Sequence, residues 1–237
     1  MFLSICKEVL PYYPNLSTTL EVSGTMTKEE LACWLYLIAQ STVLGCGAIT
    51  LRGLAEAFGY SSASARNPKI LDSLRAALVG MAGKAKRATS AEFEVNADEV
   101  KNATPTHEIQ YRVAGYQEVR KAPFICIQDT EIEKLLQICR CTNLKLPELL
   151  NVYTAILGNL ITLKNGAGRW LWGTYMTGIC GICADTFFKY RAALADQKLI
   201  YVKLLQDHPA YYAKTDSPEL WAEIRAMDLR TNGRGAL

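Results

Sequence analysis

Cys180 and Cys183, in "MTGICGICADTFF" (Met176 to Phe188), have the Cys-x-x-Cys spacing of a redox dithiol or of half a zinc site. Completing a four-thiolate zinc set would need Cys139 and Cys141. These form only a Cys-x-Cys pair, whereas zinc knuckles use Cys-x-x-Cys pairs on mobile turns, so no metal is expected. The two histidines, His107 and His208, stand in polar turn-like stretches with no nucleophile or carboxylate pair beside them. "GMAGKAKRATS" has Gly83-Lys84 but lacks the following hydroxyl residue and the preceding strand of a phosphate-binding loop. The chemistry-bearing residues therefore predict a protein that is not an enzyme and needs no cofactor.

The cysteines must then be explained by the elements that hold them. The chain has 237 residues, 50% hydrophobic and 21% charged, enough for one large domain or two small ones with a real core. Most of its eight cysteines lie in apolar runs such as "LACWLYLI" and "FICIQ", the pattern of buried thiols in a reducing cytoplasm. The opening "MFLSIC" is broken by Lys7 and Glu8. "LLNVYTAILGNLITL" (Leu149 to Leu163) falls short of the roughly 20 residues of a membrane span. A soluble, unexported, cytoplasmic chain is expected.

Two helices anchor the reading. Thr27 followed by Glu30 has capping-box spacing and starts a helix near Lys28, with Leu31, Trp34, Leu35 and Ile38 as its core stripe. Pro147 suits the first turn of a second helix, apolar on nearly every face, that is expected to run to about Lys164 and stop at Asn165-Gly166.

After each anchor the same order of features recurs: a short helix, a tight glycine turn, a second helix, then strand-like residues. The first copy is Gly47 to Leu78 and the second Gly173 to Leu194. "AEFEV" (Ala91 to Val95) should pair with "EIQYRV" (Glu108 to Val113) across a long polar tip. "LIYVKLL" (Leu199 to Leu205) should return through "AYYAK" around Pro209. "PFICIQD" from Pro123 reads as a strand opening the second unit, with "TTLEVSG" as its N-terminal counterpart. The polar stretch Ala114 to Pro123 marks the boundary, giving units 1–118 and 119–237. "DSPELWAEIRAMDLR" reads as a further amphipathic helix capped by Ser217.

In the second copy Met176 and Cys180 are inward positions of a bracing helix, Gly181 makes the turn, Ile182 plugs the angle, and Cys183 takes the place of a capping serine. Thr186, Phe187, Tyr190 and Leu194 follow as inward positions, and "QKLIYV" leads into a strand. On these positions the chain resembles the winged-helix domains of plasmid and phage replication initiators, and more distantly bacterial winged-helix transcription regulators. The resemblance, from about Leu16 to Ala213, implies a mainly α protein with small β-hairpin wings (α+β), two winged helix-turn-helix domains in tandem, binding double-stranded DNA.

The first copy departs from that pattern. Leu54, Ala55, Phe58, Gly59 and Tyr60 fit, but Pro68 falls where the reading helix should be under way, at a cost of about 3 kcal/mol. A longer turn, "SSASARN", with Asn67 as cap and Pro68 in the first turn of "PKILDSLRAALVGM", resolves this and displaces the helix.

The formal net charge of +3 is small, so placement decides. Between Gly45 and Ser90, Arg52, Arg66, Lys69, Arg75, Lys84, Lys86 and Arg87 face only Glu56 and Asp72. From Lys164 to Lys203, Lys164, Arg169, Lys189, Arg191, Lys198 and Lys203 face only Asp185 and Asp196. The expected DNA-binding residues are Ser62, Ser64, Arg66, Lys69, Arg75, Lys84, Lys86 and Arg87 in the first unit. In the second they are Lys164, Arg169, Ala184, Asp185, Phe188, Lys189, Arg191 and Lys203. The first hairpin, with Glu92, Glu94, Asp98, Glu99 and Glu108 against Lys101, is too acidic to lie on phosphates. Alternatives are a transcriptional regulator using the same surfaces, or a phage-type protein that grips a host protein through them. A homodimer is a further partner state; no membrane partner is expected.

Overall fold

A computed structural model describes residues 2–7, 10–12, 25–41, 45–82, 84, 92–114, 124–163, 166–204, 209–214, 219 and 222. Among these the chain is α+β, with its strands in three antiparallel sheets.

Helix α1 (Lys28–Gln40) begins as its sequence dictates: Glu30 N–H donates to Thr27 Oγ1 at 3.1 Å and Thr27 N–H to Glu30 Oε2 at 2.7 Å. Leu31, Trp34 and Leu35 are buried, and Ile38 packs partly buried against the core. After α1 come β2 (Cys46–Ile49), α2 (Leu51–Ala57), α3 (Pro68–Ala82), β3 (Glu92–Val95), α4 (Ala97–Asn102) and β4 (Ile109–Ala114). The strands stand in the order β2-β4-β3. The expected hairpin forms, with Val95 opposite Tyr111 and Glu94 opposite Arg112. Its tip, expected as a plain polar loop, holds α4, because Asn96 Oδ1 accepts the N–H groups of Asp98 and Glu99 at 3.1 and 3.2 Å and so caps a helix.

The second half opens with β5 (Phe124–Gln128), as the sequence predicts. Its partner is β1 (Phe2–Cys6), in antiparallel register from Phe2 with Gln128 to Cys6 with Phe124. "FLSIC" is thus the strand that meets β5, with Ile5, Ile125 and Ile127 buried; "TTLEVSG", the expected counterpart, lies outside the described residues.

Helix α5 (Asp129–Cys141) leads to α6 (Leu146–Asn159), the apolar helix with Pro147 in its first turn. It stops five residues short of the expected Lys164. Asn159 Nδ2 donates back to Ala155 O at 2.8 Å, Leu160 turns extended, and Ile161–Leu163 pair as β6 with β7 (Gly166–Leu171). Ile161 and Thr162 are β-branched and suit a strand better than a helix end. The chain continues through α7 (Gly173–Cys180), α8 (Ala184–Asp196), β8 (Tyr201–Lys203) and β9 (Ala210–Lys214), with sheet order β6-β7-β9-β8.

From α1 and from α6 onward, with α4 set aside and with β6 and α5 as additions of the second half, both halves run long helix, strand, two helices, two strands, with the first strand bonded to the last and the last to the middle one. The helices of both halves share a contiguous core that includes Leu31, Trp34 and Leu54 from one side and Leu149, Tyr153 and Phe187 from the other. Residues 115–123, most of the expected boundary, lie outside the described residues, as does most of the C-terminal stretch expected as a helix. Among the described residues no helix is long and apolar enough to cross a membrane.

Candidate nucleic-acid interface

Helices α7 and α8 meet as the sequence predicts. Met176 and Cys180 are buried on α7, Phe187, Tyr190 and Leu194 on α8, and Ile182 packs partly buried between them. Gly181 has φ +63°, the left-handed conformation that ends helices, and Ile182 N–H donates to Thr177 O at 3.3 Å, closing the turn. Asn151 Nδ2 on α6 donates to Cys180 O at 2.9 Å and ties this turn to the central helix.

Cys183 holds the N-cap position, but its side chain makes no bond to the helix backbone. The serine-like cap is reproduced in position but not in geometry: the sulfur lies 3.0 Å from Thr186 Oγ1, and the Thr186 backbone acts on the thiol more weakly. That hydroxyl holds the exposed thiol below its ordinary range, whereas burial pushes Cys139 and Cys180 each up to about 12. Among the described residues no group of three or more His, Cys, Asp or Glu is placed to hold a metal ion.

The outward side of α8 carries Ala184, Asp185, Phe188 and Lys189, all exposed. Asp185 in the first turn complements the helix dipole. Arg191 is half-buried: its guanidinium lies 4.6 Å from the centre of the Phe188 ring, and Nη1 donates to Tyr212 Oη at 3.4 Å. Arg169 is exposed on β7 opposite Tyr212, and Lys203 is half-buried on β8.

In the first unit Thr50 Oγ1 caps α2 by accepting Gly53 N–H at 3.0 Å, and Leu54, Ala55 and Phe58 are buried. The long turn forms as expected. It contains a single 3-10 turn, Ser64–Arg66, entered through Ser61 Oγ, which accepts Ser64 N–H at 3.2 Å. Asn67 Oδ1 then accepts Lys69 N–H at 3.0 Å, and Pro68 begins α3. Ser62, Ser64, Arg66 and Lys69 are all exposed along this edge.

Like Arg191, the expected DNA contacts Arg75 and Lys84 have internal partners. Arg75 donates to Asp72 Oδ1 and to Ala103 O, each at 2.7 Å, bracing α3 against the end of α4. Lys84 Nζ donates to both carboxylate oxygens of the buried Glu30, at 3.0 and 2.7 Å. Lys86, Arg87 and Lys164 lie outside the described residues. On the first hairpin Glu94, Asp98 and Glu108 are exposed, and Glu99 Oε1 lies 3.1 Å from His107 Nε2. Of the expected basic contacts that are described, Arg66, Lys69, Arg169 and Lys189 are exposed; Lys134, Arg140 and Lys198, which the sequence reading did not select as contacts, are exposed as well.

Beside Phe188, which the sequence had already singled out, Trp172 and Tyr175 are aromatic surroundings of α8 that the sequence reading missed. Trp172 is 54% exposed at the N-cap of α7, Tyr175 is 41% exposed in its first turn, and Phe188 is 39% exposed. Gly173 lets the Phe188 ring approach the α7 backbone: a Cβ there would lie 3.2 Å from Phe188 Cζ. The alternation of Trp170, Leu171 and Trp172 ahead of Gly173 was the available signal, since Leu171 is buried and Trp172 is not.

No protein-family model matches the chain. No curated protein matches it either.

Proposed function

We propose that the protein binds double-stranded DNA through two winged helix-turn-helix units, in the manner of a plasmid or phage replication initiator. The observation that carries this reading is the twice-repeated topology: a helix, turn and helix beside a three-strand arrangement ordered first, third, second, with a hairpin after the outer helix. The exposed side chains support it. Lys189 on α8 and Lys69 at the start of α3 are ordinary phosphate- or base-contacting types, and Arg66 and Arg169 are exposed as well. The acidic first hairpin stays off the backbone. A transcriptional regulator would use the same surfaces, and the location of the bound site separates the two roles: a repeat array at an origin, or a promoter overlap.

The test is selection of bound fragments from a random duplex pool, repeated with Lys189→Ala and Arg66→Ala. The DNA reading expects an enriched sequence and weaker binding by both variants; no enrichment and unchanged binding end it. The exposed Trp172, Tyr175 and Phe188 favour one second reading, a host-protein partner gripped by the same surface. Under that reading binding to random duplex is absent even at low salt.

A further inference from the structure

One loop touches both helix-turn-helix motifs. Leu144 to Leu146 closes the connection from α5 to α6, Leu146 being the first residue of α6, and Lys145 stands at the N-cap of α6 without a side-chain cap bond. A cation there opposes the positive end of the helix dipole, so local physics disfavours it. Its partners lie elsewhere. Lys145 Nζ donates to Gly59 O, the carbonyl of the glycine that turns the first motif, and sits 4.8 Å from the centre of the Tyr60 ring. The backbone N–H of the same residue donates to Tyr190 Oη, on α8 of the second motif, at 3.1 Å.

The neighbours tighten the joint. Leu146 N–H donates to Phe58 O at 3.1 Å, and the Leu144 carbonyl leaves no room for a Cβ at Gly59, which has φ +84°. Thr142 Oγ1 accepts Leu144 N–H at 3.1 Å and donates to Ile138 O at 2.7 Å, fixing the loop to α5. Pro147 stiffens its exit. Lys28 Nζ meets Glu148 Oε1 at 3.3 Å across α1 and α6, and the pairing of β1 with β5 and the shared core join the halves as well.

We infer that the Leu144–Leu146 loop locks the two helix-turn-helix motifs at one separation, with Lys145 as a positioning residue, so that the ligand is a duplex bearing two recognition elements at a single spacing. The DNA half of this inference rests on the proposed function; the lock itself does not. A flexible tether tolerates many spacings at a moderate effective concentration, whereas a rigid one concentrates its gain at one geometry. Each inserted base pair moves the second element by about 3.4 Å and turns it by about one tenth of a helical turn. A locked pair of reading helices cannot follow.

Two measurements separate lock from ligand. Spin labels on p-acetylphenylalanine at Ser73 of α3 and Ala192 of α8, both exposed, report the distance between the reading helices in the full chain without DNA. A single narrow distance distribution is expected. It broadens in Lys145→Met, which keeps the stem and loses the charge, and recovers in Lys145→Arg. Tyr190→Phe, which removes one acceptor from a buried position, serves if Lys145→Met fails to fold. A broad distribution in the natural chain, or one unchanged in Lys145→Met and Tyr190→Phe, overturns the lock. On the selected duplex, inserting two to five base pairs between the elements should weaken binding at least tenfold for the natural chain and less than threefold for Lys145→Met. Equal tolerance in both overturns the single-spacing ligand while leaving the distance result standing. A narrow distance with no duplex bound overturns the DNA reading alone.

Discussion

Lys84 Nζ lies 2.7 Å from Glu30 Oε2, and Glu30 is the same carboxylate that closes the capping box of α1. The second unit repeats the arrangement: Lys214 Nζ lies 2.7 Å from Glu131 Oε1, and Glu131 Oε2 accepts Gln128 N–H at the start of α5. In each half a buried glutamate joins the first turn of a helix to a lysine distant in sequence. Lys84→Ala leaves Glu30 buried with its Thr27 bond but no cation, which should cost about 2 kcal/mol of stability. Urea unfolding measures it. A lysine acting on phosphates alone would leave the unfolding midpoint unchanged.

Gly181 and Gly59 both have positive φ, yet their surroundings differ, and substitution should rank them. At Gly181 a Cβ meets nothing within 4 Å, so Gly181→Ala bears only the left-handed backbone penalty, about 1–2 kcal/mol. Gly181→Asn should recover part of that loss. At Gly59 the penalty is joined by a clash with the Leu144 carbonyl, so Gly59→Ala should lower the melting temperature more than Gly181→Ala does. Thermal melts of the three variants decide the order.

What was legible in the sequence was local. The Thr27–Glu30 capping box, the Gly181 turn, and the inward spacing of Phe187, Tyr190 and Leu194 all arise from neighbours within a few residues. Even the displaced α3 could be read, because Pro68 permits few backbone solutions. What was illegible was long-range. The strand at Phe2–Cys6 finds its partner at Phe124–Gln128, far along the chain, and no local pattern names it. The end of α6 at Asn159 is decided by the pairing of Ile161–Leu163 with β7, since the apolar run itself continues. Lys145 did leave a trace: a lysine at a helix N-cap breaks a local rule, and its compensation lies in the first unit.

The cysteines yield a pH prediction with a definite sign. Burial pushes Cys139, Cys180 and the Tyr111 hydroxyl up to about 12, so the folded state holds these protons beyond the pH at which the unfolded chain releases them. Their contribution is complete below the unfolded values, 9.0 for the thiols and 10.0 for the tyrosine, and is lost as pH rises toward about 12. Melting temperature should therefore fall steeply between about pH 9 and 12, and less steeply in Cys180→Ala. Cys183 behaves oppositely: held below its ordinary range by the Thr186 hydroxyl and, second, the Thr186 backbone, it should be alkylated at a lower pH than an unperturbed thiol, and Thr186→Val should reduce that advantage. Timed iodoacetamide labelling followed by peptide mass analysis distinguishes Cys183 from Cys180.

Salt dependence should sort the basic residues by role. Each phosphate contact releases counterions, so removing one lowers the slope of log affinity against log salt by about 1. Under the proposed duplex binding, Lys189→Ala on α8 and Arg169→Ala on β7, both at exposed positions, should each produce that change with little effect on unfolding. Arg75→Ala should do the reverse. Its guanidinium holds Asp72 and the Ala103 carbonyl, so its loss frees the end of α4 and lowers stability while leaving the salt slope of the remaining affinity intact. If Arg75→Ala alters the slope and Lys189→Ala does not, the proposed duplex-binding surface is not the exposed face of α8.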